Sequence, residues 1–309
     1  MPVDFTLSPE LQALRLRVRA FVEEVVLPGE VRIREGDLER GEYRKVLGGM
    51  RSEARDAGLW LPHMPVAWGG MGLGRVELAV VQAEAARATY GPWALNCQAP
   101  DEGNMHTLLH WGTVEQKERY LRPLCEGRVM SCFAMTEPEV AGSDPTLIRT
   151  RAESQGDGWI VDGHKWFISN AHRASFAILI ARTEDEPDPP QAGNTAFLVD
   201  IPSPGWTEVR QIETMHGSTG HSEIVIEGLR IPSDRVLGGR GDGHRLGQYR
   251  LGPARLAHCM RWIAQAEMAL DMLVDRALHR YAHGSYLADK QGIQWMFADS
   301  AVELYQCKL

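Results

Sequence analysis

The spacing of apolar residues changes twice along this chain, and that change restricts the possible folds more than any single motif does. From Ser8 to about Arg128, apolar residues recur every three or four positions, which predicts helices. From about Thr150 they alternate every second position, which predicts strands. The helical spacing returns from Pro253 onward. The sequence therefore predicts helices, then an antiparallel β unit, then helices again.

Local signals mark where several of these elements begin and turn. Ser8 followed by Pro9 is typical of a helix start, and Thr113 to Gln116 is a capping-box pattern. In the β unit, Gly156 to Gly158 and Asp162-Gly163 both predict turns. We therefore expect Trp159 to Val161 and Trp166 to Ile168 to lie on separate arms of a hairpin.

Two long helices are predicted at the end of the chain. The first begins at Pro253 and runs for about 30 residues, longer than most globular helices. The second begins near Asp289 and places an apolar face inward, made of Ile293, Met296, Phe297 and Val302. It reaches Leu309 with no glycine or proline stop signal, so we expect a helical bundle of which only about half is present.

Charge and cysteine content exclude several classes of protein. The formal net charge of −8 argues against a nucleic-acid-binding surface. The five cysteines are odd in number and lack C-x-x-C spacing, so neither a disulfide framework nor a zinc site is indicated. No signal peptide and no apolar segment of membrane-spanning length occurs. We expect a cytoplasmic protein in a reducing compartment that does not enter a membrane.

Short motifs taken singly are weak. The glycines of "GGMGLG" at Gly69 to Gly74 follow no strand and lack the lysine of a phosphate-binding loop, which favours a packing loop. His279 and His283 are spaced to share a metal on a helix, but no third ligand accompanies them, so no metal site is predicted. Ser143 lies outside a G-x-S-x-G nucleophile motif.

Taken together, several segments resemble the acyl-CoA dehydrogenase family over essentially the whole chain. They are "CFAMTEPEVAGSD" at 132–144, "DGHKWFISNA" at 162–171, "RLGPARLAHCMRWI" in the first long helix, "RYAHG" near its end and "LADKQGIQWMFADS" in the next. The segment "NCQAPDEGNMHTLLHWG" looks like the branch that takes long or branched acyl chains. The resemblance implies an N-terminal all-α domain (1–129), a middle antiparallel β domain (130–242) and the first half of a C-terminal α-helical bundle (243–309).

The resemblance also implies FAD as cofactor and assigns six residues of the middle domain to the flavin: Phe133, Met135, Thr136, Trp166, Phe167 and Ser169. Backbone groups and the Thr136 hydroxyl would bond the polar edge of the ring, which answers why an apolar run ends in a polar turn. Phe167 stands where the family usually has a tryptophan on the flavin face, although Trp166 could supply that aromatic instead. Ser169 stands where a threonine usually bonds near the reactive nitrogen N5.

Other assignments from the resemblance concern the substrate and a neighbouring subunit. Arg280 would reach the FAD pyrophosphate of that subunit, which requires at least a homodimer and is compatible with a homotetramer. His283, in the place of a family aromatic, and Gln291 would lie on the same surface. Ser143 would contact the CoA portion of the substrate. Arg255 would lie near the substrate entrance, although a surface charge at a helix start explains it equally well.

The implied reaction is α,β-dehydrogenation of an acyl-CoA thioester to trans-2-enoyl-CoA, within fatty acid β-oxidation and lipid metabolism. A carboxylate base takes the α-proton, hydride leaves the β-carbon for flavin N5, and electrons pass to an electron-transfer flavoprotein. The family places its base either beyond the segment present here or early in the long helix, where this chain has Ala254 beside Arg255. The catalytic residue is therefore unknown, and we expect the chain to be part of a longer enzyme.

Three alternatives stay open on the sequence alone. The first is a flavoprotein of the same fold with oxidase or monooxygenase chemistry on a substrate other than CoA thioesters. The second is a non-catalytic, DNA-binding flavoprotein of that fold, which the acidic charge balance disfavours. The third is an inert fragment whose exposed bundle face aggregates.

Overall fold

The computed structural model describes residues 6–35, 40–215 and 217–309. Its residues divide into two compact units. Unit 1 comprises Met1–His63, Met71–Cys97 and Arg255–Leu309, and unit 2 comprises Met64–Gly70 and Gln98–Ala254. The predicted order of helices, sheet and helices is confirmed.

Helices occupy both ends of the chain, and the strands lie between them. The α-helices are α1 Pro9–Phe21, α2 Leu27–Glu35, α3 Arg40–Asp56, α4 Arg75–Ala85, α5 Gly91–Ala94, α6 Asp101–Trp111, α7 Val114–Gln116, α8 Arg122–Cys125, α9 Gly243–His279 and α10 Gln291–Lys308. The strands are β1 Ser131–Ala134, β2 Arg151–Gln155, β3 Gly158–Ser169, β4 Phe176–Arg182, β5 Asn194–Asp200, β6 Trp206–Thr214, β7 Gly217–Pro232, β8 Val236–Leu237, β9 Tyr281–Ala282 and β10 Ser285–Tyr286.

Both predicted helix starts are confirmed. The Ser8 hydroxyl oxygen accepts the Leu11 N–H at 3.2 Å, with Pro9 at the first helical position of α1. Thr113 and Gln116 bond each other's backbone N–H groups as a complete capping box before α7. Local sequence rules are therefore sufficient to locate these two helix starts.

Two π-helical turns, Val22–Val26 and Lys117–Leu121, interrupt helices that the sequence pattern presents as continuous. Each turn ends two residues before a proline, Pro28 or Pro123, that lies in the next helix. Proline lacks the N–H of the helical ladder and its ring crowds the preceding turn, and a widened turn at that point relieves this conflict.

Unit 1 is stabilised by helix packing and by ion pairs, among them a bidentate pair between α1 and α4. Arg19 donates two hydrogen bonds, each of 2.9 Å, to the two carboxylate oxygens of the buried Glu84. A bidentate arginine–carboxylate pair fixes orientation as well as distance. The first helix is thereby tied to a helix 65 residues further along the chain.

The long helix α9 differs from its prediction. It begins at Gly243 instead of Pro253, with the Leu246 N–H donating to the Asp242 carbonyl, and it carries Pro253 in its interior. Pro253 cannot donate to the carbonyl of Tyr249, so the helix continues with one ladder bond missing. The structure places Pro253 inside α9, whereas the sequence analysis placed it at the helix start. The presence of a proline did not distinguish these two positions.

The predicted inward face of α10 is wrong for two of its residues. Met296 is 61% exposed and Val302 is 57% exposed. Large apolar side chains are exposed on α9 as well, among them Trp262 at 66% and Met272 at 70%. The amphipathic pattern is present, but these apolar side chains are exposed within the described ranges.

The middle sheet is mixed, so the prediction of a purely antiparallel unit is wrong in one respect. Strand order is β6-β7-β3-β2-β4-β5-β8, and β1 pairs with β4. The β1·β4 and β2·β4 pairs are parallel, whereas the remaining pairs of this sheet are antiparallel. The chain between β1 and β4 contains the β2–β3 hairpin, and this connection is long enough for β4 to return in the direction of β1.

The predicted turn at Asp162-Gly163 is also wrong, because β3 runs through it as one strand. Residues on both sides pair with β7, and the register shifts between Val161 and Gly163 as a β-bulge. A Cβ on Gly163 would lie 2.3 Å from the Thr150 hydroxyl oxygen. The glycine therefore allows a close approach to Thr150, while the turn at Gly156 to Gly158 is the actual hairpin of β2 and β3.

None of the helices within the described ranges combines the length and the apolar character that crossing a bilayer requires.

Replacing Gln116 by Ala should lower the free energy of unfolding of unit 2 by about 2 kcal/mol. The buried Gln116 amide donates to the carbonyls of Asp234 and Val236 at 2.8 and 2.9 Å, in addition to its role in the capping box. Chemical denaturation followed by near-UV circular dichroism measures the loss. Glu115→Ala, one position earlier on the exposed side, is the control; equal losses in the two variants would contradict this role.

His164 should make the protein less stable as pH rises. Its two ring nitrogens lie 2.6 Å from Glu139 and 2.9 Å from Glu223, and Arg210 also donates to Glu223. Partial burial alone would lower the pKa of His164, but the hydrogen bonds and charges of the two carboxylates outweigh burial and raise it. A raised folded-state pKa gives stability that is present below about pH 6.5 and is lost as pH rises through that raised value.

The measurement is the thermal midpoint of the wild type and of His164→Gln from pH 5 to pH 9. The wild type should be more stable at the acidic end, and its advantage should shrink toward the alkaline end. A difference that is constant across this range would show that the imidazolium form contributes nothing.

Candidate functional site

Helix α6 fixes the position of β1, the strand that leads into the polar turn of "CFAMTEPEVAGSD". The Asp101 carboxylate accepts the Ser131 N–H at 2.8 Å and the Ser131 hydroxyl at 2.6 Å. The Asn104 amide donates to the Ser131 hydroxyl and to the Cys132 carbonyl. All four residues are buried, so β1 has one defined register against the helix.

Phe133, near the end of β1, packs against a partly buried cation. The Arg250 guanidinium carbon lies 4.3 Å from the Phe133 ring centroid, and Arg250 donates to the Asn104 side chain and to the Pro100 carbonyl. Burial lowers the pKa of Arg250 to about 10, although the charges of Asp101 and Glu102 oppose this. Arg250 is therefore still a cation at neutral pH and holds Phe133 by a cation–π contact.

The turn after β1 rests on a buried ion pair between Glu137 and Lys165. Lys165 Nζ lies 2.8 Å from Glu137 Oε1 and donates to the Met135 carbonyl at the same distance. The exposed fractions of the two side chains are 0% for Lys165 and 1% for Glu137. The Glu137 carboxylate also accepts the N–H groups of Arg149 and Thr150 and the Thr150 hydroxyl. The pair thus joins three chain segments beneath the turn.

Both members of the pair are charged at neutral pH. Burial would raise the pKa of Glu137, but the Lys165 charge and hydrogen bonds from Lys165, Thr150 and Arg149 lower it below its ordinary value. Burial lowers the pKa of Lys165 to about 8 against the opposing effect of Glu137. A carboxylate held in this way cannot reach a substrate, so Glu137 is unsuited to act as a catalytic base.

The Thr136 backbone is bonded from one side and exposed on the other. The Trp166 N–H donates to the Thr136 carbonyl at 3.0 Å, while the Thr136 side chain is exposed. Gly142 returns the chain against this residue, since a Cβ there would lie 2.6 Å from Thr136 Cγ2. The turn is therefore held on the strand side, while Thr136 itself is exposed.

Phe167 adds an exposed aromatic ring to the same unit. It is 45% exposed, its φ is +52°, and the register of β3 against β7 shifts between Lys165 and Ile168. A positive φ at a phenylalanine costs about 1–3 kcal/mol, so the surrounding structure imposes it. The Trp166 ring lies edge-on to Phe167 with centroids 4.9 Å apart. The sequence left open which aromatic faces outward, and in the structure it is Phe167.

Ser169 ends β3 with its hydroxyl 2.9 Å from His221 Nδ1 on the paired strand β7. The six residues assigned to the flavin thus come from β1, the turn after it and the end of β3, joined by the bonds of Lys165 and Trp166 to that turn. Ser143 is exposed in the loop that follows the turn.

The other assigned residues belong to unit 1. Arg255 is exposed on α9, Arg280 and His283 are exposed after its end, and Gln291 begins α10. His283 has a φ of +55° before Gly284, in the turn between the short strands β9 and β10. His279 bonds the backbone and the carboxylate of Asp275.

Sequence reasoning missed the two charged supports of this site, the buried Lys165 and the partly buried Arg250. One signal was available for Lys165: it occupies an inward position of β3, where an alternating strand should carry an apolar residue. No comparable signal marks Arg250, because its partners Pro100 and Asn104 are about 150 residues earlier in the chain.

Three family models match the chain in succession. They describe the N-terminal domain (residues 8–128), the middle domain (residues 132–229) and the C-terminal domain (residues 241–309) of acyl-CoA dehydrogenases. Among curated relatives, the chicken (Gallus gallus) acyl-CoA dehydrogenase family member 11 is 33% identical over 99% of this chain, which spans only 40% of that protein.

Two mycobacterial relatives are matched over most of their length. A probable acyl-CoA dehydrogenase of Mycobacterium tuberculosis is 34% identical, with 99% of this chain and 77% of that protein aligned. The solved structure of a "putative acyl-CoA dehydrogenase" from Mycobacterium abscessus is 33% identical, covers 98% of this chain and 78% of its own, and superimposes with a TM-score of 0.90. On these matches in sequence and fold, the chain belongs to the acyl-CoA dehydrogenase family.

Proposed function

We propose that this chain binds FAD and belongs to an enzyme that dehydrogenates acyl-CoA thioesters to trans-2-enoyl-CoA. The observation that carries the proposal is the turn at Met135 and Thr136. Its two carbonyls are bonded from within the protein by Lys165 and Trp166, and Thr136 is exposed. A rigid donor and acceptor edge beside an exposed aromatic ring suits a planar heterocycle with alternating carbonyl and N–H groups.

The residues present fit the proposed cofactor. Thr136 offers its hydroxyl, and no acceptor for its N–H occurs among the residues that the structure describes. Phe167 offers an apolar face, and Ser169 offers a hydroxyl already oriented by His221. FAD, when bound, would supply the acceptor for the substrate's hydride, while these side chains hold and orient it.

The resemblance carries the rest of the proposal. Arg280 suits the pyrophosphate of FAD in a second copy of the chain, because a guanidinium matches paired phosphate oxygens. The protein would then act as a homodimer or homotetramer. Ser143 and Arg255 would contact the CoA thioester. A long or branched acyl chain, an electron-transfer flavoprotein as acceptor, a cytoplasmic location, and domain boundaries at 129/130 and 242/243 stay predictions.

The base that removes the α-proton is not assigned. Glu137 is fully engaged beneath the turn, and the position early in α9 is occupied by Ala254. The relatives extend beyond the part matched here, and we propose that the whole protein supplies its carboxylate from outside these 309 residues.

The test of function is an anaerobic titration of the FAD-reconstituted chain with acyl-CoA thioesters of increasing length. Binding should perturb the flavin absorption bands, while bleaching should be slow because the base is missing. Ala254→Glu should speed bleaching by about a hundredfold, the lower end of the range for a positioned general base. Ala254→Gln is the control for the changed side-chain volume. Flavin bands unchanged by every acyl-CoA would contradict the proposed substrate class.

The same samples separate the alternatives. Rapid peroxide formation under air, with a substrate other than a CoA thioester, would indicate an oxidase or monooxygenase. DNA binding that weakens steeply with salt would indicate the non-catalytic relative.

Phe167→Ala should weaken FAD binding about tenfold, because the lost ring contributes about 1.5 kcal/mol. Phe167→Trp, which restores the aromatic that the family usually carries there, should bind FAD at least as tightly as the wild type. Quenching of flavin fluorescence measures both dissociation constants. Tighter binding by the alanine variant than by the tryptophan variant would show that Phe167 does not face the cofactor.

A further inference from the structure

A contribution to folding stability does not explain why the charged Glu137–Lys165 pair is buried. Moving two charges out of water costs several kcal/mol per ion, and apolar replacements of buried pairs are often neutral or stabilising. Lys165 is nonetheless among the largest fully buried side chains of the described residues. A bonded pair at such a position needs another role, and its remaining contacts indicate one.

The Lys165 ammonium acts on a single peptide group, the one between Met135 and Thr136. It donates to the Met135 carbonyl at 2.8 Å, inside the protein where the effective dielectric constant is low. A cation bonded to a peptide carbonyl withdraws electron density from that peptide, and hydrogen bonds in such a chain strengthen one another. The N–H at the other end of this peptide belongs to Thr136 and becomes a stronger donor.

The hydrogen bonds around the turn leave the polarised Thr136 N–H available to a ligand. Lys165 and Trp166 are consecutive in β3 and bond the carbonyls of Met135 and Thr136 respectively, so both carbonyls are occupied from the strand side. Within the described ranges the Thr136 N–H has no acceptor, and the Thr136 side chain is exposed. Glu137 keeps Lys165 charged from within the same turn.

We propose that Lys165 is a positioning residue, whose ammonium fixes and polarises the Met135–Thr136 peptide so that the Thr136 N–H binds the reduced, electron-rich flavin more tightly than the oxidised one. This inference rests on the proposed FAD site, and it adds a residue that contacts the cofactor only through another peptide. Differential binding of the two redox states raises the reduction potential of the bound flavin. Glu137 supports this role by holding the proton on Lys165.

Two variants remove the ammonium, and a third is the matched control. Lys165→Met removes it alone. Lys165→Met/Glu137→Gln also removes the orphaned carboxylate, so this variant remains informative if the single variant does not fold. Thr150→Val deletes a different hydrogen bond to Glu137 without touching the Met135 carbonyl. If Lys165 had a purely structural role, the Met135 carbonyl resonance and the flavin midpoint potential would respond in the same way in all three variants.

The first readout needs no cofactor. Met135-Thr136 is the sole Met-Thr pair in the sequence, so protein with carbonyl-13C methionine and 15N threonine gives one signal in a carbonyl–amide correlation spectrum. Removing the ammonium should move its carbonyl resonance upfield, and Thr150→Val should leave it nearly unchanged. A signal at the same position in all the proteins would overturn the proposed polarisation.

The second readout uses the FAD-bound protein. In the Lys165 variants the ratio of reduced to oxidised FAD affinity should fall about tenfold, which lowers the midpoint potential by ~30 mV for a two-electron couple. Thr150→Val should lower the thermal midpoint without that shift. An unchanged potential in the Lys165 variants would overturn the inference while leaving the FAD site intact. If the wild type binds no FAD, the proposed function is overturned. The proposed role of Lys165 toward the cofactor is then overturned as well.

Discussion

The candidate site depends on one interaction, the buried ion pair between Glu137 and Lys165. It joins the turn after β1 to β3 and to the segment at Thr150, three stretches that are distant in sequence. A second buried network, from α6 and Arg250, fixes β1 itself. Because both networks are satisfied by several hydrogen bonds, they define one arrangement of the turn instead of merely adding stability.

Much of the fold follows from local rules. The caps at Ser8 and Thr113 and the order of helices and strands are confirmed because each depends on neighbouring residues. The errors arise where a residue has two possible structural uses. Gly163 could form a turn or allow the Thr150 side chain to pack closely against the backbone. Pro253 could begin a helix or lie within one. Tertiary contacts decide between these uses, and the periodicity of a single sequence does not contain them.

The site was only partly predictable for a similar reason. The resemblance assigned the outward residues, such as Thr136 and Phe167, because they belong to contiguous motifs. The inward supports were missed because an ion pair forms between positions 137 and 165, and a cation–π contact between positions 133 and 250. The exposed apolar faces of α9 and α10 had the expected pattern, but what covers them depends on residues outside these helices.

The most direct measurement of the central claim is the visible absorption spectrum of the wild-type chain, mixed with excess FAD and then freed of unbound cofactor by gel filtration. Flavin bands should remain with the protein, shifted from those of free FAD by the turn at Thr136 and the ring of Phe167. A folded protein that leaves the column with no visible absorption would contradict this claim, since the turn would then be a rigid structure that holds no flavin.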